Sequence, residues 1–479
     1  MNQYPDLKML IDGKWISRPG EPVLNPADES EVATLPHCTE ADLAEGVESA
    51  EKGFRVWRRT PPAKRAEVIL DAVRLIRERI EEIAVVLTME NGKTLRESRL
   101  EVLRAVSILE WDATEGRRLY GRIIPSEPGM RHTVLRQPIG VVLAFTPWNF
   151  PFTSPARKIG GALSAGCSII IKASSETPGG AMKMCQAFAD AGIPPGVINL
   201  ILGKSDFISD YLIPQPAVRL VTLTGSTPIG KRLAAVAANY MKPVIMELGG
   251  HAPVVVCEDA DPGRTATMAI GGKSRNSGQV CVSPTRFFVH ESIYKKFSQS
   301  FAEKAAALKV GNGLDPSTQM GPVANARRIA AMERLVSDAK KRGAKVLSGG
   351  SRIEGRGYHY PLTVIADVPD DALAMHEEPF GPLALLSPFR HLDEAIEKAN
   401  SLPYGLAGYA FTNSSSYAYR LSEEIDVGNL SINHFVASIA ETPFGGVKES
   451  GYGREGGVEG LECYTVVKNV SHLMEIQKQ

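Results

Sequence analysis

The chain predicts an α/β fold in which parallel sheets are covered by helices. Three observations carry that expectation. Short β-prone runs alternate with helical patterns from residue 139 onward, an order that places helices on both faces of a parallel sheet. A charged, almost wholly helical segment precedes them, Thr39 to Glu115, and a β-prone stretch, Cys463 to Val470, closes the chain. At 479 residues the chain exceeds one ordinary core, so two or three domains are expected.

Taken in order, the helical segment carries charged faces such as Lys64-Arg65-Ala66-Glu67 and Arg77-Glu78-Arg79, which suits helices packed beside a sheet. Gly140 to Phe145 reads as a buried strand, Ser154 to Ala165 as a helix, and Ser168 to Lys172 as the next strand. A helix through Ala181 to Ala191 and strands at Val197 to Leu202 and Leu220 to Thr224 continue the alternation, followed by a helix over Lys231 to Ala238. A second α/β region runs from about Pro253 to Thr412, with strands at Val254 to Val256 and Thr285 to His290. The turn-rich stretch Pro443 to Gly457 then breaks the pattern. No repeat or low-complexity linker separates these regions, so interleaved domains are expected.

Composition excludes several classes of function. Hydrophobic content of 43% and charged content of 23% are those of a globular protein, and 54 basic residues balance 54 acidic ones. No global field points to nucleic acid or to an anionic membrane. No apolar run reaches the ~18 residues of a membrane span, and Met1 to Leu10 lacks the apolar core of a signal peptide. The six cysteines have neither paired nor metal-type spacing, which fits a reducing cytoplasm and predicts no metal site. Cys167 and Cys257 lie in apolar stretches and read as core thiols.

Cys281 differs from them. It stands in the polar, glycine-containing run Gly278-Gln279-Val280-Cys281, downstream of Glu247-Leu248-Gly249-Gly250. A thiol and a carboxylate of this kind suggest thiolate attack on a carbonyl and base-assisted hydrolysis. Two glycine-rich loops compete as phosphate sites. Gly451-Tyr452-Gly453-Arg454-Glu455-Gly456 matches G-x-G-x-x-G but shows neither a preceding strand nor a clear following helix, and is discounted. Gly225-Ser226-Thr227-Pro228-Ile229-Gly230-Lys231 follows a strand and opens a helix, so Ser226 and free backbone N–H groups there suit a pyrophosphate. Arg232 stands where a nucleotide hydrolase needs a Mg²⁺-binding Ser or Thr, which disfavours that class.

These segments form part of an ordered set: Thr146-Pro147-Trp148-Asn149-Phe150-Pro151, Lys172, Thr224-Gly225-Ser226-Thr227, Glu247-Leu248-Gly249-Gly250, Gly278-Gln279-Val280-Cys281, Glu377-Glu378-Pro379-Phe380-Gly381-Pro382 and Pro443-Phe444-Gly445-Gly446. Alone, Asn149 reads as a turn residue and Glu247 as a surface charge. Together and in this order, the motifs resemble the NAD(P)-dependent aldehyde dehydrogenases over essentially the whole chain. The resemblance implies a Rossmann-like cofactor domain (1–117 and 138–246), an α/β catalytic domain (247–447) and a small β oligomerisation element (118–137 and 448–479). It implies that Cys281 attacks the aldehyde, that hydride then leaves for the nicotinamide, and that water hydrolyses the thioester with Glu247 as base. The Asn149 amide and the Cys281 backbone N–H would hold the oxyanion. Glu247 also favours a free acid product over a coenzyme A thioester.

The resemblance assigns cofactor contacts to Thr146, Pro147, Trp148, Lys172, Ser175, Gly225, Ser226, Gly230, Leu248, Glu378 and Phe380. Ser175 stands where NAD-preferring members carry a glutamate, so NADP is the preferred cofactor and NAD the alternative; Glu176, one residue on, keeps that alternative open. Arg157 and Arg275 match positions that grip a distal carboxylate in the succinate semialdehyde and α-ketoglutaric semialdehyde branches, and a guanidinium suits that task. Ser438 resembles the serine completing that site in succinate semialdehyde dehydrogenases, whereas His251-Ala252-Pro253 and Ser283-Pro284-Thr285-Arg286 resemble the other branch. Succinate semialdehyde is placed first, α-ketoglutaric semialdehyde or a broader aldehyde range second. Ser283 occupies the position of a second, regulatory cysteine, so that redox switch is expected to be absent. A cytoplasmic homo-oligomer, dimer or tetramer, is expected, with a small-molecule substrate and no nucleic acid or membrane partner.

Overall fold

The computed structural model of the protein describes residues 4–474. Residues 1–3 and 475–479, which open the first expected span and close the last, lie outside the described residues. The α/β expectation holds, and two large sheets dominate. In the first, five parallel strands run in the order Val244–Glu247, Val218–Thr224, Val141–Phe145, Ser168–Lys172 and Ile198–Ile201. Every residue of Val141–Phe145 and of Ser168–Lys172 is buried, the condition of a sheet covered on both faces. The strand order reverses beside Val141–Phe145, and ligands of open α/β sheets sit beyond the carboxyl ends of strands at such a point.

The second sheet carries Thr363–Ala366, Leu383–Phe389, Pro284–His290, Ala252–Val256, Ala407–Phe411 and Asn429–Ile432 in parallel, with Lys345–Ser348 antiparallel at one edge. A third, antiparallel sheet pairs Thr465–Leu473 with Met130–Pro138, and Met130–Pro138 with Arg122–Ile124. The helical segment resolves into Glu40–Trp57, Pro62–Glu78, Ile80–Asn91 and Leu95–Glu115. Thr39 and Thr94 open the first and last of these with reciprocal capping boxes to Asp42 and Glu97. Helix Thr153–Ala165 is buried along its whole length, packed against Leu95–Glu115 on one side and the sheet on the other.

Several boundaries differ from the sequence reading, for local reasons. The helix expected at Lys231 begins at Thr227 with Pro228 in its first turn, and the helix expected near Ala181 begins at Pro178. Proline is tolerated there because its missing N–H lies in the unbonded first turn. The strands Met9–Ile11 and Lys14–Ile16 join the edge of the first sheet unannounced, being only three residues each. The discounted Gly451–Gly456 loop does have flanking elements. Gly451–Tyr452 pairs with Met246 and Glu247 as a two-residue strand, and Gly457–Glu462 forms a short helix.

Candidate active site

Three neighbouring strands of the first sheet end at one cavity of about 420 Å³. Phe145 leads into Thr146–Asn149, Thr224 into Gly225 and Ser226, and Glu247 into Leu248. The opposite wall comes from the second sheet, where Cys281 immediately precedes the strand Pro284–His290. The parallel pairing aligns Thr224 with Glu247, so loops distant in sequence emerge side by side.

The Cys281 loop is held in a conformation that side chains rarely choose. Asn276 and Ser277 have φ of 47° and 54°, and Gly278 has φ of 71°. A Cβ on Gly278 would lie 2.2 Å from the Gly381 carbonyl oxygen, so only glycine fits there. Buried hydrogen bonds offset this strain. The Ser277 hydroxyl donates to the Gly321 carbonyl at 2.7 Å, the Asn276 backbone N–H to Glu97 Oε1 at 2.7 Å, and the Gln279 side chain bridges Asn276 and Ala324. Backbone strain held by its surroundings is common where reacting atoms are positioned. Asn149, on the facing loop, donates from Nδ2 to the Gln279 carbonyl at 3.1 Å, and its own carbonyl accepts from Lys93 and Asn276. That bond brings the amide to the loop of the thiol.

Charge around the thiol is set by burial. Burial first, then the neighbouring Glu247 and Glu378, pushes the Cys281 thiol well above its ordinary range, with Arg275 pulling the other way. The resting group is therefore a thiol that needs a base. Glu247 is that neighbour. Its carboxyl is raised to about 7 by burial and then by Glu455, against the opposing pull of Lys158, and its Oε1 has no hydrogen-bond partner among the described residues. A buried carboxylate titrating near neutrality is suited to taking and returning a proton. Glu378 is raised to about 8, again by burial first, and accepts a hydrogen bond from the Gly250 N–H at 3.1 Å. Phe380, at φ 44°, sets its ring edge-to-face with Trp148 at 5.3 Å between centroids.

Part of the cavity wall is cationic. Arg157, 8% exposed, donates from Nη2 to the Ser438 hydroxyl at 2.8 Å and stacks 5.1 Å from the Phe444 ring centre. Arg275 lies 5.6 Å from the Phe150 ring centre. The resting places of the other expected residues vary. Pro147, Trp148, Gly225, Ser226, Leu248, Glu378 and Phe380 line the main cavity beside Cys281. Thr146 and Lys172 line a smaller one with Ser205, Asp206 and Arg232, and burial lowers the Lys172 ammonium to about 8. Ser175 and Gly230 line neither. The Ser175 hydroxyl donates to the Gly203 carbonyl at 3.3 Å, and Gly230 makes room for Leu248, whose Cδ2 would be 2.4 Å from a Cβ. Glu176 is turned toward Asn325 at 2.7 Å and pairs with Arg327.

Among the groups that escaped the sequence reading are Arg104, Asn325, Arg327, Arg328 and Glu455 in the cavity wall, and Lys158 behind Glu455. Glu455 comes from the discounted glycine loop, which carries a carboxylate to the site in place of cradling phosphate. It pairs with fully buried Lys158 at 2.6 Å, and Lys158 also donates to Thr222. Lys158 lies on the helix after Asn149, and its mid-helix place in a buried stretch was the available signal. Lys231 pairs with Glu449 at 2.7 Å on the surface, and Arg232 pairs with Asp206 at the helix flank. Neither serves as a phosphate lysine.

A dinucleotide fits the remaining donor set. Helix Thr227–Ala238 opens at the cavity, its N-cap Ser226 makes no side-chain cap bond, and the buried Thr224 Oγ1 has no partner among the described residues. These are unspent donors at a helix N-terminus, where pyrophosphate binds.

Comparison with known proteins agrees with this geometry. A family model described as the aldehyde dehydrogenase family matches residues 15–470. The chain is 45% identical to the 4-(hydroxymethyl)benzenesulfonate dehydrogenase TsaD1 of Comamonas testosteroni, over 96% of this chain and 97% of that one. It is 36% identical to the NADP⁺ succinate-semialdehyde dehydrogenase GabD of Escherichia coli, over 96% of each. Among solved structures, the succinate-semialdehyde dehydrogenase of Burkholderia pseudomallei superposes with a TM-score of 0.96 at 36% identity, covering 98% of each chain.

Proposed function

Because this chain belongs to the aldehyde dehydrogenase family, we propose that it oxidises a short aldehyde carrying a terminal anion to the carboxylic acid, with conversion of succinate semialdehyde to succinate as the reference reaction. One observation carries this reading. A single cavity is lined by Cys281, Glu247 and Asn149 and, in the same wall, by Arg157, Arg275 and Ser438. An aldehyde lying along it meets a nucleophile with its carbonyl and guanidinium groups with its anion. The relatives named for a succinate semialdehyde and for a benzenesulfonate share that terminal negative charge.

In this reading Glu247 takes the Cys281 proton and the thiolate adds to the carbonyl carbon. The Asn149 amide turns from the Gln279 carbonyl to the new oxyanion, a contact worth about 10²–10³ in rate. A nicotinamide held at this site would supply the hydride acceptor for the oxidation of the thiohemiacetal. Glu247 releases the thiol proton to solvent and then draws a second one from the water that attacks the thioester carbonyl. The C–S bond breaks, and the departing thiolate takes the proton from Glu247 to restore the thiol. The sum is aldehyde, water and NAD(P)⁺ giving carboxylate, NAD(P)H and two protons. Ser226, Thr224 and the helix N-terminus would hold the pyrophosphate, Glu378 the nicotinamide ribose, and Phe380 would pack beside the ring. Lys172 in the smaller cavity would bind the adenosine ribose, with no carboxylate at Ser175 to repel a 2′-phosphate. NADP is therefore our preferred cofactor. Glu176 is occupied by Asn325 and Arg327, which supports the same preference.

The first sheet would serve the cofactor and the second the catalytic thiol. The three-stranded sheet would serve assembly into a dimer or tetramer, since it exposes Ile123, Val467 and Leu473. A cytoplasmic, reducing compartment suits an enzyme that depends on a free thiol. Steady-state kinetics with succinate semialdehyde, α-ketoglutaric semialdehyde and propanal, each with NADP⁺ and NAD⁺, test these assignments. Both anionic aldehydes are expected to exceed propanal in kcat/KM, with NADP⁺ the better oxidant. Equal efficiency for propanal would sink the anion site, and a clear NAD⁺ preference would sink the cofactor choice.

A further inference from the structure

We propose that Arg104 is a third anion anchor of the substrate cavity, and that the site is built for an aldehyde ending in a tetrahedral oxyanion, a sulfonate, in preference to a planar carboxylate. The inference rests on reading the cavity as an anionic-aldehyde site and narrows the anion it takes.

Arg104 lies on helix Leu95–Glu115, outside all the motif segments, yet its side chain lines the cavity with Arg157 and Arg275. Its Nη2 donates to the Ser438 carbonyl oxygen, while Arg157 Nη2 donates to the Ser438 hydroxyl at 2.8 Å. Two guanidinium groups thus meet at one serine from different elements. Burial, then the nearness of Arg275 and Arg157, lowers Arg104 to about 10, so it stays charged at neutral pH.

No carboxylate among the described residues lies within ion-pair distance of the three arginines, and the nearby acids are committed elsewhere. Glu101 pairs with Lys93 and accepts from the Phe152 and Thr153 N–H groups. Burial pushes Asp112 well above the ordinary carboxylate range, which weakens it as a partner for a guanidinium. Arg157 Nη1 and Arg275 Nε are buried without partners. Burying an unpaired guanidinium donor is costly, and an anionic ligand supplying the missing acceptors removes that cost.

Acceptor geometry then selects among anions. A carboxylate offers about four lone-pair sites, but all of them lie in one plane. The three arginines come from helix Leu95–Glu115, helix Thr153–Ala165 and the Arg275 loop, three separate elements whose donors a planar acceptor set serves less well than a conical one. The three oxygens of a sulfonate spread in a cone and give each guanidinium its own acceptor.

The test compares 3-oxopropane-1-sulfonate with succinate semialdehyde, which differ only in the terminal group, and with propanal. The full-length enzyme and its Arg104→Met and Arg104→Lys variants are assayed with NADP⁺. We expect the native enzyme to favour the sulfonate about tenfold in kcat/KM. Arg104→Met should lose about thirtyfold on the sulfonate, mainly through KM, as one charge-assisted hydrogen bond implies. It should change succinate semialdehyde and propanal each by less than about threefold, and Arg104→Lys should recover part of the loss on the sulfonate. A native preference for the carboxylate, or equal losses on all three aldehydes, overturns the proposal. Should Arg104→Met fail to fold, competitive inhibition of the native enzyme decides: propane-1-sulfonate must outcompete butanoate, and parity overturns the role of Arg104. Parity of propanal with both anions is a separate result, since it removes the anion site altogether.

Discussion

Two parts of the cavity wall, one carrying the thiol and one the arginines, are built by different means. Around Cys281 the backbone does the positioning, through left-handed residues at 276–278 and buried side chains that bond carbonyl groups. Around Ser438 the long side chains of Arg157, Arg275 and Arg104 do it, projecting from three separate elements. A loop fixed through its backbone tolerates little change and suits chemistry that depends on tenths of an ångström. Arg104 and Arg157, which stand on helices, can be altered one at a time without moving the thiol, which suits them to set which aldehyde is accepted.

Substitutions in the two parts should therefore fail in different ways. Cys281→Ala should reduce NADPH formation by about 10⁴-fold or more, as removal of a nucleophile does; a burst or steady rate persisting in the variant would break the assignment. Asn149→Ala should lower kcat by about 10²–10³ while leaving KM for succinate semialdehyde within a few fold. In the arginine part, Arg157→Met or Arg275→Ala should raise KM for succinate semialdehyde by about ten- to a hundredfold and leave propanal unaffected. If either arginine variant lowers kcat for propanal equally, the division between the parts is wrong.

Two smaller effects sharpen the contrast. Glu247 must be ionised to act as base, and its carboxyl titrates at about 7. The rate should thus rise roughly tenfold per pH unit below that value and level above it. Glu247→Gln should be slow and should lose this limb of the pH profile; a limb that survives belongs to another group. Gly278→Ala places a Cβ 2.2 Å from the Gly381 carbonyl at positive φ. It should cost about 1–3 kcal/mol of stability by thermal unfolding, whereas Arg157→Met in the arginine part should leave the backbone of the Cys281 loop intact.

The alternation of strands and helices was legible because each element is a local pattern: buried apolar runs for Val141–Phe145 and Ser168–Lys172, charged amphipathic faces for the segment before them. The edge strands of three residues and the two-residue strand at Gly451 were not, because so short a run has no period to read. Their existence is settled by the partner strand.

The residues of the site divide along the same line. Cys281, Glu247 and Asn149 stand in distinctive short contexts, so the sequence alone determined them as candidates and determined the α/β class around them. Arg104, Lys158 and Glu455 stand in ordinary contexts, and only the tertiary structure decided their part. Arg104 meets Ser438 across 334 positions of chain, and Lys158 meets Glu455 across 297. The same holds for the protonation of Glu247 near neutrality, which arises from burial and from Glu455. Desolvation and through-space charge depend on what packs around a group, and neither is written in its neighbours along the chain.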